Sequence, residues 1–136
     1  AEPMFALRLY GDAVDFGVSL EVSFIERKKD EQSLQKQHKV LVLPISQPVY
    51  YFVQKNGESQ RVEGTEKNRH DLLQAVAEGA VRKVLVKYDI SLVEEDSLED
   101  ILDQLQRALM ALEPYYLATR QMQKGFLRPV FATFLP

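Results

Sequence analysis

The sequence predicts an α+β fold: a predominantly antiparallel sheet of about five to six strands with two to three helices packed on one face. Alternating apolar and polar residues, the pattern of half-buried strands, occupy most of the first half of the chain. Two segments with helical periodicity come later, and a long strand pattern separates them. Several consecutive strands before the first helix argue against alternating β-α-β units and favour an antiparallel sheet in a single domain over residues 1–136.

The first two strands are predicted at residues 4–10 and 15–26, joined around Gly11 and Asp12 as an antiparallel hairpin. The second strand gives the clearest alternation in the chain, with small or polar residues between five apolar ones: Phe16, Val18, Leu20, Val22 and Phe24. A densely charged segment, residues 26–39, follows and is predicted to be a solvated loop. The apolar run at residues 40–43 then predicts a short buried strand that Pro44 ends.

A second hairpin is predicted around Asn56 and Gly57, because this dipeptide supplies the two positive φ angles of a type I′ turn. The first helix is expected to begin after Thr65, a good N-cap, and to end near Gly79. Alternation then resumes over residues 82–92, which predicts one long strand.

The second helix is predicted over residues 97–123. Ser97 and Asp100 have the spacing of a capping box. Pro114 is expected either to break the helix, with a second short one over 114–123, or to kink it, because proline removes a backbone hydrogen bond. Three sets of residues spaced by seven predict a wide apolar stripe packed on the core: Leu98, Leu105 and Leu112; Ile101, Ala108 and Tyr115; Leu102, Leu109 and Tyr116.

The last thirteen residues, 124–136, form an apolar tail whose sequence is KGFLRPVFATFLP. A tail of this composition has to be covered by something. It is expected either to fold back over its own sheet or helix, or to contact another chain as a swapped tail in a homodimer or on a different protein. The stretch between Pro129 and Pro136 suits an extended strand that adds to a sheet edge.

Composition excludes several function classes. With no cysteine, the chain has no disulfide, thiolate metal site or cysteine nucleophile. A net charge of −3 and a pI near 5.4 argue against binding nucleic acid or an anionic membrane. No apolar stretch approaches the roughly 20 residues of a membrane span, and the first residues do not have the pattern of a signal peptide. The expected location is the cytoplasm or another soluble compartment.

No catalytic, cofactor-binding or metal-binding constellation is visible. His38 and His70 lie far apart in sequence, and neither has a partner at the spacing that a metal site or a catalytic triad requires. No glycine-rich phosphate-binding motif occurs. A nucleic-acid role would need Arg82, Lys83 and Lys87 to cluster with Lys28 and Lys29 on one face.

The sequence therefore predicts a non-enzymatic protein–protein interaction module, an adaptor, assembly factor or chaperone-like subunit that works as a dimer or within a complex. The predicted contact residues lie on helix 97–123 and the tail: Tyr115, Tyr116, Met122, Phe126, Leu127, Phe131 and Phe134. The alternative is a small-ligand-binding or weakly signposted catalytic domain. It would have a pocket between sheet and helix and a polar group such as Tyr51, His70 or Tyr88 at its rim.

Overall fold

A computed structural model gives the fold and describes residues 3–12, 15–24 and 37–120. These residues form a five-stranded antiparallel sheet and three helices, which confirms the α+β prediction. The elements in chain order are β1 (Pro3–Gly11), β2 (Phe16–Phe24), α1 (residues 37–41), β3 (Tyr50–Lys55), β4 (Glu58–Glu63), α2 (Glu66–Ala77), β5 (Val81–Leu92) and α3 (Leu98–Arg120).

The sheet has the strand order β1-β2-β5-β3-β4, with every neighbouring pair antiparallel. The long strand β5 lies in the middle, between the N-terminal hairpin and the second hairpin. Its end pairs with the start of β2, where Leu92 is opposite Phe16. Among the described strands, β1 and β4 are therefore the two edges of the sheet.

The core lies between one face of the sheet and the helices. Val22 of β2 and Val86 of β5 are fully buried there, together with Ala108 and Leu112 of α3. Both α2 and α3 pack on this same face of the sheet. At order of magnitude, burying each of these valine and leucine side chains stabilises the fold by about 1.5–3 kcal/mol. The opposite face of the sheet carries no helix among the described elements, and we call it the open face.

Local turn and cap signals are confirmed. Asn56 has φ +52° and Gly57 has φ +83°, the two positive angles of a type I′ turn. The Thr65 side chain accepts a hydrogen bond from the Asn68 backbone N–H and caps α2. Gly79, with φ +80°, follows the last turn of α2 in the left-handed conformation that favours glycine.

The capping box of α3 is also confirmed, because Ser97 and Asp100 each accept the other's backbone N–H at 3.1 Å. The predicted break at Pro114 is wrong within the described residues, since α3 is one continuous helix to Arg120. Pro114 lies on the exposed side of α3, where water can bond the carbonyl left without a donor. The buried positions continue unbroken past it: Ala108, Leu112, Tyr115 and Thr119.

The predicted short strand at residues 40–43 is also wrong. Residues 37–41 are helical, so the last residues of the predicted charged loop belong to α1. Val40 and Leu41 are fully buried, and the Gln37 side-chain amide donates to the Arg82 carbonyl at 2.6 Å. A short apolar run fits a buried strand and a buried helical turn equally well. The remainder of the predicted loop lies outside the described residues.

None of the helices within residues 37–120 combines the length and the apolar content that crossing a bilayer requires.

Candidate functional site

Two of the predicted contact residues lie in the described structure. Tyr115 belongs to the core, where its hydroxyl donates to the Pro44 carbonyl at 2.7 Å, and burial raises its pKa to about 12. Tyr116 is half-buried and stacks on Phe5 of β1, with the ring centroids 4.7 Å apart. The other five, Met122, Phe126, Leu127, Phe131 and Phe134, lie outside the described residues.

The predicted apolar stripe of α3 is wider than the face that the helix buries. Leu98 is 71% exposed, and Leu102 and Leu109 are exposed as well. At about 100° per residue these leucines share one flank of the helix with Tyr116. Because Tyr116 contacts Phe5, this flank faces the edge strand β1.

The edge strand presents apolar side chains to that flank. Leu7 and Leu9 follow Phe5 at alternate positions and so lie on the same face of the sheet. Leu7 is more than half exposed and Leu9 is 84% exposed. We call these five exposed leucines, two on β1 and three on the facing flank of α3, the leucine groove: Leu7, Leu9, Leu98, Leu102 and Leu109.

The leucine groove runs along an edge whose main-chain groups have no strand partner among the described residues. Such an edge accepts an added strand through backbone hydrogen bonds, while the added strand's alternate side chains enter the neighbouring apolar groove. Chemically, this surface can bind an extended apolar segment.

The two histidines line one cavity of about 420 Å³ beside α2, and both are exposed. The sequence could not show this proximity, because His38 belongs to α1 and His70 to α2. The other lining residues are Leu73, Gln74, Val76 and Ala77, which supply neither a nucleophile nor a carboxylate. Within residues 3–12, 15–24 and 37–120, no set of three or more histidine or carboxylate side chains is placed to hold a metal ion.

The rim residues proposed for a sheet–helix pocket do not come together. Tyr51 is fully buried in the core, burial raises its pKa, and its hydroxyl has no hydrogen-bond partner among the described residues. Tyr88 is half-buried at the edge of the same core. His70 lies outside it, in the cavity described above.

A second cavity, of about 440 Å³, lies on the open face of the sheet. Glu21 of β2 is buried in the wall of this cavity. Its carboxylate forms one ion pair with Arg8 Nε at 3.0 Å and a second with Lys87 Nζ at 3.5 Å. Lys83 also lines this cavity, which we call the cationic pocket. The Phe52 ring lies 5.0 Å from Lys87 Nζ and supplies an aromatic surface.

The described basic residues that a nucleic-acid role would require do not all come together, and Lys28 and Lys29 lie outside the described residues. Lys83 and Lys87 share the cationic pocket, whereas Arg82 lines a different cavity near the Asn56 turn. Alternation along β5 already separates them, because consecutive strand residues face opposite sides of the sheet. A register shift also lies here: Gln54 is opposite Lys83, but the next residue of β3 is opposite Val81.

Charges at the other end of the open face compensate one another. Arg61 contacts Glu63 at 2.6 Å and Asp89 at 3.2 Å, and its guanidinium lies 3.7 Å from the centroid of the Tyr50 ring. The Tyr50 hydroxyl donates to Asp89 at 2.7 Å. Burial and this hydrogen bond raise the pKa of Tyr50 to about 12.

Two surfaces therefore stand out in the described structure: the leucine groove beside the helices and the cationic pocket on the open face. Comparisons of the chain with family models, with curated proteins and with solved structures return no match. Function is inferred from these two surfaces alone.

Proposed function

We propose that the protein is a non-enzymatic protein–protein interaction module that forms a homodimer through the leucine groove. The observation that carries this proposal is the pair of exposed leucine rows, one on β1 and one on α3, that border the same unpaired sheet edge. Monomeric proteins rarely leave contiguous apolar surface of this kind uncovered. The occupant of the groove is the apolar tail, residues 124–136, of a second copy.

The direction of the chain favours a second copy over the protein's own tail. Helix α3 starts after Leu92, near the Gly11 end of β1, and passes Phe5 at Tyr116, so α3 and β1 run in opposite directions. A tail that returned along its own β1 would have to reverse after Arg120 and pair in parallel. Antiparallel pairing, as in the rest of this sheet, is slightly more stable per residue. The tail of a second copy is not bound to this direction and can approach β1 antiparallel.

The tail is long enough for this exchange. Sixteen residues follow Arg120, and extended they reach on the order of 50 Å. Pro129 and Pro136 lack a backbone N–H and would limit the added strand to the residues between them. A closed exchange between two copies also leaves no open edge for further assembly.

The test is absolute mass in solution by light scattering on four chains: the full protein, a chain stopped after Lys124, Leu102→Lys, and Met110→Lys as the matched control. Leu102 borders the groove, whereas Met110 is exposed on the side of α3 that faces away from the sheet, so we expect the folded monomer to tolerate both lysines. The full protein and the Met110 variant should be dimers, and the other two folded monomers.

A monomeric full protein would overturn the proposal. If the truncated chain then binds a hydrophobic dye more strongly than the full one, the groove is covered by the protein's own tail. Equal masses for Leu102→Lys and Met110→Lys would likewise show that the leucine groove is not the dimer contact.

A further inference from the structure

We propose that the cationic pocket on the open face binds a phosphate-bearing small molecule, with the phosphate on the basic side chains and an apolar or aromatic part on Phe52 and Leu85. This site is separate from the leucine groove, which lies beside the helices on the other face of the sheet. The proposal does not depend on the dimer.

The first argument is charge. Three cationic side chains, Arg8, Lys83 and Lys87, line the pocket against one carboxylate, Glu21. The pocket thus carries a surplus of two positive charges in a chain whose net charge is −3. A phosphomonoester carries about −1.5 to −2 charges at pH 7, which matches that surplus.

The second argument is the arrangement of those charges. Arg8 and Lys87 share the single carboxylate of Glu21, and no carboxylate among the described residues pairs with Lys83. At the other end of the same face, Arg61 contacts two carboxylates. The open face therefore concentrates its uncompensated positive charge at the cavity.

The third argument is preorganisation. Glu21 is 1% exposed, and its two ion pairs hold Arg8 and Lys87 from opposite sides, one on β1 and one on β5. Charged donors that are already held in place lose less conformational entropy when an anion binds. Gln54, Ser23 and Ser59 add neutral hydrogen-bonding groups to the walls.

The fourth argument concerns the organic part of the ligand. Phe52 and Leu85 are neighbours across β3 and β5, and both line the pocket. A planar or apolar group can lie on them while its phosphate reaches the basic residues. Inorganic phosphate is therefore expected to bind more weakly than an aromatic phosphomonoester.

The test is NMR titration of the 136-residue chain with phenyl phosphate, inorganic phosphate and phenol. Phenyl phosphate should bind saturably and tightest of the three, and should shift the backbone amides of Glu21, Phe52 and Lys87. Lys83→Gln should weaken phenyl phosphate binding about tenfold, as expected for loss of one charge-assisted contact. Lys67→Gln is the matched control, since it removes the same charge from an exposed site on α2.

Three results would overturn the proposal. Equal binding by phenol would show that only the apolar surface matters. Equal effects of Lys83→Gln and Lys67→Gln would show a nonspecific response to net charge. Binding of single-stranded DNA without binding of phenyl phosphate would identify the open face as a nucleic-acid surface instead.

Discussion

Phe5 of the edge strand and Tyr116 of α3 stack with their rings 4.7 Å apart and 14° from parallel. This is the contact that turns the leucine flank of α3 toward β1. Without it, the exposed leucines on the helix and on the strand would be two unrelated surfaces. With it, they border one groove next to an unpaired edge.

We expect the Phe5–Tyr116 stack to contribute about 1 kcal/mol of coupling energy in a double-mutant cycle. The variants are Phe5→Ala, Tyr116→Ala and the double change, and the measurement is the free energy of unfolding in urea. Met110→Ala on α3 is the control, because its side chain is 68% exposed, it lies outside the leucine groove, and its loss should cost about 0.5 kcal/mol or less. Strictly additive effects would mean that the two rings do not fix α3 against β1.

Pro114 is a second position where the stability of α3 can be tested. We expect Pro114→Ala to raise the free energy of unfolding by about 1–3 kcal/mol. The substitution restores a helical hydrogen bond and the helix propensity of alanine. The proline side chain is exposed, so no packing is lost. Glu113→Ala, at the neighbouring exposed site, should stay within about 0.5 kcal/mol of the unmodified protein. A destabilised Pro114→Ala protein would show that the native packing of α3 depends on the proline.

Tyr51 and Tyr115 form a matched pair of buried phenols with opposite expectations. The Tyr51 hydroxyl has no partner among the described residues, so Tyr51→Phe removes an uncompensated polar group and should stabilise the fold by about 1 kcal/mol. The Tyr115 hydroxyl donates to the Pro44 carbonyl, so Tyr115→Phe should cost about 1 kcal/mol. Equal losses in urea unfolding would mean that Tyr51 also has a hydrogen-bond partner.

Features set by a few adjacent residues could be predicted from the sequence. The Asn56–Gly57 turn, the Thr65 cap and the Ser97–Asp100 capping box each depend on local backbone geometry, and each is confirmed. The prediction of a strand at residues 40–43, where α1 ends, is wrong because local sequence is not enough there. Four apolar residues in a row carry no periodicity that distinguishes a strand from a helical turn. Its helical state depends on packing that a local pattern does not contain.

The leucine groove and the cationic pocket both depend on contacts between residues that are distant in sequence. The alternation in β2 predicts one buried face, yet Ser19 and Glu21 on the other face are buried too. Glu21 is enclosed by the Arg8 and Lys87 side chains, which pair with it from the two neighbouring strands. The pairing of Glu21 with Lys87 follows from the register of β2 against β5, which no single segment encodes. The seven-residue spacing in α3 predicts Leu98, Leu102 and Leu109 as part of a stripe packed on the core, but all three are exposed.

The link between α2 and the segment before β3 should make stability depend on acid pH. Glu66 accepts two hydrogen bonds from Arg69, at 2.8 and 2.9 Å, and one from the Ile45 backbone N–H at 3.0 Å. These bonds favour the charged carboxylate and hold the pKa of Glu66 below its ordinary value of 4.5. A depressed folded-state pKa contributes stability that is fully present above pH 4.5 and is lost as the pH falls through the folded value.

Glu66→Gln should therefore make the stability of the protein depend less on pH below neutral. We expect the urea midpoint of the unmodified protein to fall as the pH drops from neutral to below 4.5, and the Gln variant to start lower at neutral pH and fall less. Glu113→Gln on α3 is the control, since it removes an exposed carboxylate that no described side chain bonds. If the Glu66 and Glu113 variants have the same pH profile as each other, the Glu66–Arg69–Ile45 link does not couple stability to protonation.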